Sequence, residues 1–266
     1  MHRGFQIGSL SESFGSPYAA RGRIIREQQS SVVSSTLDTY LNEDGKLDAS
    51  SLSKAWFPTV TADVFISHSH NDENEAFRLA GWLQEKFGLT AFIDSVVWNS
   101  ADALLKKIDT KYCLQKSGDI YDYQKRNLST SHVHMMLAMA ISEMIDKCEC
   151  LFFLTTPASL TPSKTIEKSQ TSSPWIYAEI AISKIIHKRE LSEARRARRD
   201  RRVLAMDSIS NESVGSVPLV HELDVNHLSK VNENQLLAWS IRFDPSRDLS
   251  PLDVLYEQIP SRFSGP

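Results

Sequence analysis

The chain has 266 residues, 41% of them hydrophobic and 24% charged, with a formal net charge of -3. It is long enough to bury a sizeable core. The charge balance gives no electrostatic reason to expect a nucleic-acid or anionic-membrane partner, and no apolar run reaches the length of a membrane span. Cys113, Cys148 and Cys150 are too few and too unevenly spaced for a disulfide framework. With no apolar signal core at the start, a cytoplasmic location is the expectation.

Residues 1–58 read as an extension, mobile at first and then helical. The stretch 1–20 is rich in Ser and Gly and shows no sustained period. Over 22–41, Ile24, Ile25, Val32, Val33, Leu37 and Leu41 recur at helical spacing. Asn42-Glu43-Asp44-Gly45 reads as a turn. A calcium loop fails there on register, since its first ligand position is Tyr40 and its closing carboxylate is Ser51. A short helix through Leu52 and Trp56 ends before Pro58.

From 59 to 262 the pattern is that of one α/β domain. Apolar runs predict strands over 62–67, 90–94, 150–155 and 202–206, with a fifth near 217–223. Helices are predicted over 71–87, 101–111, 131–147 and 174–188, the last with Ser173 as N-cap and Pro174 at its first position. A polar, tyrosine-bearing stretch fills 112–127. This alternation predicts a doubly wound parallel sheet in flavodoxin-like order, covered on both faces.

Polar residues that close the apolar runs fall where open α/β sheets bind ligands, at the C-terminal edge. Ser67 and His68 end the first run, and Asp94 ends the second. The third leads into a helix carrying Trp175 and Glu179, four residues apart and so on one face. No G-x-G-x-x-G or P-loop follows any strand, and the third strand ends at Thr155 where a phosphoacceptor domain needs an acid. No metal site is expected: His132 and His134 diverge on their helix, while His68 and His70 read as loop and cap residues. Cys148 and Cys150 read as core packing. The basic run 195–202 reads as a solvated helix end, with nucleic acid an unlikely partner.

Taken in order, Asp63-Val64-Phe65-Ile66-Ser67, Ala91-Phe92-Ile93-Asp94, Leu151-Phe152-Phe153-Leu154 with Pro157, and Trp175-x-x-x-Glu179 resemble the motifs of Toll/interleukin-1 receptor (TIR) domains, most nearly the bacterial NAD-cleaving branch. The resemblance covers about 61–206. It implies that Glu179 is the catalytic carboxylate, that the loop from Ser67 and His68 binds nucleotide, and that Asp94 and Trp175 border the pocket. It also implies NAD+ as substrate rather than bound cofactor and assembly through contacts between TIR domains of like chains. The expected activity is NAD+ glycohydrolase or cyclase, in bacterial antiviral defence or signalling, with a separate effector protein as a possible partner. The alternative is a non-catalytic adaptor. The stretch 95–130 departs from the pattern, being longer than the usual loop and helix and lacking a Pro-Gly tip.

One carboxylate suffices for this chemistry. Glycoside hydrolysis generally needs a second acid to protonate a poor leaving group. Nicotinamide is already cationic on the ribose and leaves neutral, so the remaining task is to stabilise positive charge on the sugar.

Overall fold

A computed structural model of the chain describes residues 1–29, 37–116, 118, 120–162, 169–186, 188–192, 220–248 and 250–260. In chain order the elements are β1 (Arg3–Gly8), α1 (Ala19–Gln29), α2 (Ala49–Trp56), β2 (Val64–Ser67), α3 (Glu73–Phe87), β3 (Ala91–Ile93) and α4 (Ser95–Ile108). There follow α5 (Tyr123–Lys147), β4 (Cys150–Thr155), β5 (Thr161–Pro162), β6 (Ser169–Thr171), α6 (Pro174–Ile185), β7 (His221–Leu223), β8 (Ser229–Val231), α7 (Glu233–Arg242) and α8 (Pro251–Gln258). Five strands form one parallel sheet in the order β3-β2-β4-β1-β8, and β5, β6 and β7 form a small antiparallel sheet.

The strands alternate as a two-faced sheet must. On one face Phe5, Ile7, Val64, Ile66, Ile93, Phe152 and Leu154 pack with residues of α1, α3, α7 and α8. Phe65, Phe92, Leu151 and Phe153 on the other face join residues of α2, α4, α5 and α6. The first core is rich in rings: Trp239 stacks on Phe87 at 3.9 Å between centroids, and its indole N–H donates to the Pro251 carbonyl at 2.7 Å. No helix among the described residues is long and apolar enough to cross a membrane.

The α/β architecture and the neighbours β3-β2-β4 are as the sequence predicts. The start of the chain is not. Residues 1–20, expected to be mobile, supply β1, which lies between β4 and β8 with Phe5 opposite Phe152 and Ile7 opposite Leu154. Phe5 and Ile7 are fully buried. So residues 1–58 are no appendage: β1, α1 and α2 all contribute to the two cores. The predicted strand over 202–206, like the basic run 195–202, lies outside the described residues, and β1 holds the place beside β4. Of the strand predicted near 217–223, the described part is β7, which pairs antiparallel in the small sheet rather than extending the large one. The large sheet ends instead at β8.

Helix bounds shift for local reasons. Asp122 caps α5 by accepting from Lys125 N, so the helix starts eight residues earlier than predicted, within the polar stretch. Directly after Asp94 the chain enters α4, leaving almost no loop behind β3. Both the turn at Asn42 and the Ser173 cap are present, the cap accepting from Ile176 N at 3.3 Å.

Candidate functional site

After β2 the chain crosses to α3 on one face of the sheet, whereas after β4 it reaches α6 on the other. Adjacent strands whose connections diverge leave a crevice at their C-terminal ends, where ligands of open α/β folds bind. Three chain segments meet at this point. Ser67 closes β2, Asp94 follows β3 with its N–H on the Ile66 carbonyl, and Glu179 enters from α6. Glu179 points inward because it shares the buried stripe Ile176, Glu179, Ile180 and Ser183. The apolar face of the helix thus carries the acid into the protein.

Ser67 Oγ donates to Glu179 Oε2 at 2.6 Å. His68 N donates to Asp94 Oδ2 at 3.0 Å, and His68 Nδ1 lies 2.5 Å from Asp94 Oδ1. Asp94 lies close enough to Glu179 for its charge to act on the Glu179 carboxyl. All four side chains are 0% exposed.

Electrostatics follow from that enclosure. Loss of water drives the Glu179 carboxyl well above the ordinary glutamate range, and the Asp94 charge pushes it the same way. Loss of water likewise raises Asp94, against the pull of the His68 N–H and the Glu179 contact. His68 is driven down by burial, which outweighs the nearby Glu179, Glu73 and Asp72 charges. Burial thus favours the neutral imidazole and the protonated over the charged carboxyls.

Surrounding contacts tie the loops together. Thr156 Oγ1, after β4, donates to Asp72 Oδ2 at 2.5 Å, bridging to the turn before α3. Ser95 Oγ donates to Glu73 Oε1 at 3.0 Å. Beside the crevice, a cleft of about 390 Å³ opens over the ends of β1, β4 and β8, with Gln6, Gly8, Thr155, Lys230 and Asn232 on its wall. Glu179 is not on that wall.

Of the residues read from the sequence, Ser67, His68, Asp94 and Glu179 come together. Trp175 is placed differently: its ring meets the His134 imidazole of α5 edge-on at 5.1 Å and packs against the second core. His70 is exposed. Among the described residues no three His, Cys, Asp or Glu side chains converge as metal ligands. What the sequence reading missed is that the acid is paired. An acid ending one strand beside an acid on a buried helix stripe was the available signal.

Compared with known proteins, the chain matches no family profile, no curated protein and no solved structure.

Proposed function

We propose that this chain cleaves the nicotinamide–ribose bond of NAD+, with Glu179 as the carboxylate that faces the sugar. The observation that carries the reading is the Ser67–Glu179 hydrogen bond, which fixes an acid at the switch-point crevice. As the bond lengthens, its electron pair leaves with nicotinamide, and positive charge spreads over the ribose. A carboxylate in a water-poor site stabilises that charge far more than one in solvent. Water capture gives ADP-ribose and a proton; capture by an adenine nitrogen gives a cyclic product. Turnover requires the enclosure to open. A role in bacterial antiviral defence, assembly of like chains and a downstream effector follow from the TIR resemblance.

A second reading has an observation of its own. The four groups are fully enclosed and bonded to one another, as befits an internal tie between β2, β3 and α6 in a non-catalytic adaptor. Free nicotinamide separates the two readings. Purified chain is incubated with NAD+, with and without a crowding agent, beside Glu179→Gln. Release that the substitution abolishes supports the enzyme. Absence of release under every condition supports the adaptor.

A further inference from the structure

The structure assigns a second ligand site to the cleft over the ends of β1, β4 and β8, for a small anion that carries hydroxyl groups, of the sugar phosphate or sugar acid class. It is separate from the Glu179 crevice and stands whether or not that carboxylate acts on NAD+.

The topology that makes the first crevice recurs one strand further along the sheet. β4 leads to α6 on one face, whereas its other neighbour β1 leads to α1 on the opposite face, and β8 leads to α7 on the same face as α1. The C-terminal ends of β4 and β1 are thus a second point where connections diverge, the place at which open α/β sheets take ligands. The cleft there holds about 390 Å³, within the roughly 300–1,000 Å³ of small-molecule sites.

Its floor follows from the strand register. Gln6 stands opposite Phe153 of β4 and Lys230 of β8, and Gly8 stands opposite Thr155. Phe153 belongs to the second core, so alternation puts Gln6, Gly8, Thr155 and Lys230 on that face of the sheet as well. Gly8 leaves the floor open: a Cβ there would meet no atom closer than the Val231 carbonyl oxygen at 3.9 Å.

The wall selects the ligand's chemistry. Gln6, Thr155, Lys230, Asn232 and Gln235 supply its polar groups, and no carboxylate lines it. Among the described residues Lys230 forms no ion pair. Glu233, the first residue of α7, is turned away to accept from Ser11 N and Oγ. Gln6 Oε1 is buried and receives no donor from the described residues, a cost that a ligand O–H relieves. Thr155 Oγ1 donates to the Ile7 carbonyl at 2.6 Å, which leaves its oxygen to accept. An ammonium and an amide oxygen on neighbouring strands, about 4.8 Å apart, suit an anion and a hydroxyl borne by one small molecule.

The test is backbone amide NMR of the full chain titrated with ribose 5-phosphate, gluconate or neutral ribose at constant ionic strength. Saturable shifts at Gly8, Val231 and Asn232 are expected with at least one of the anions, at a Kd of about 1 mM or tighter. The anion that binds more tightly identifies the class, and ribose should bind about tenfold more weakly or worse. Lys230→Met should weaken the anion about tenfold. Gly8 has no positive φ, so Gly8→Val suits the strand and should abolish binding at an unchanged Tm. Absence of a saturable shift with both anions overturns the site, and that arm needs no variant to fold. Shifts confined to Ser67 and Asp94, equal binding of ribose, or wild-type affinity in both folded variants overturn it as well. Nicotinamide release is not read, so failure of the NAD+ proposal leaves this result standing.

Discussion

Ser67 Oγ and Glu179 Oε2 stand 2.6 Å apart although 112 residues separate them in the chain. The contact joins the C-terminal end of β2 to the second turn of α6, fixing the acid at a strand end. A hydrogen bond to a charged group contributes about 1.5–3 kcal/mol. Ser67→Ala is therefore expected to slow nicotinamide release by about tenfold or more, read as kcat at saturating NAD+. Unchanged turnover would mean that Ser67 does not orient the carboxylate.

The buried acids make stability depend on pH in an unusual direction. Their folded pKa values lie above the ordinary 4.5 of Glu and 3.8 of Asp, so between those values and the raised ones the folded chain binds more protons than the unfolded chain. Stability contributed by the protonated groups is full below the ordinary values and is lost as pH rises through the folded ones. Glu179→Gln removes one of these titrations while keeping the shape. Urea unfolding should show the variant gaining on the wild type from mild acid to neutral pH, by about 1.4 kcal/mol for each unit of raised pKa. A constant difference across that range contradicts the assignment.

Much of this was readable from the sequence, and what was not has identifiable physical causes. β2 and β4 are near-continuous apolar runs because both of their faces are covered, and such runs announce themselves. β1 is broken by Arg3, Gly4, Gln6 and Gly8, so Phe5 and Ile7 alone carried too little signal. Gly4 is small for a packing reason, since a Cβ there would stand 2.4 Å from Leu228 Cδ2. Glu179 and Asp94 were each legible at a strand end or on a helix. Their contact was not, because it depends on how deeply the stripe Ile176, Ile180 and Ser183 seats α6. Trp175 shares a helix face with Glu179 by spacing, yet α5 provides the surface on which the indole packs.

The first helix is seated as tightly as the strands. α1 crosses α3 where two glycines meet opposing backbone: a Cβ on Gly22 would lie 1.9 Å from the Phe77 carbonyl oxygen, and one on Gly81 would lie 2.1 Å from that of Tyr18. Backbone cannot yield as a flexible side chain does. Gly22→Ala and Gly81→Ala should each destabilise by about 1–3 kcal/mol or more, measured as a lowered Tm. A wild-type Tm in both would show that α1 is loosely held.

Removing residues 1–58 is a harsher test of the same point. It takes β1 out of the sheet, leaving β4 and β8 without the strand that pairs with both. It also strips Phe5 and Ile7 from the first core and Leu52 and Trp56 from the second. The shortened chain is expected to show no cooperative unfolding transition in calorimetry. A sharp transition near the full-length temperature would restore the view of this segment as an appendage.

The most direct measurement is chromatographic detection of free nicotinamide from NAD+ with the full-length chain under crowded conditions, set beside Glu179→Gln at matched concentration and verified folding. The account predicts steady release by the wild type and a fall of about a hundredfold or more in the variant, the scale on which removing an electrostatic stabiliser acts. Equal release by both proteins, or none from either, would contradict it.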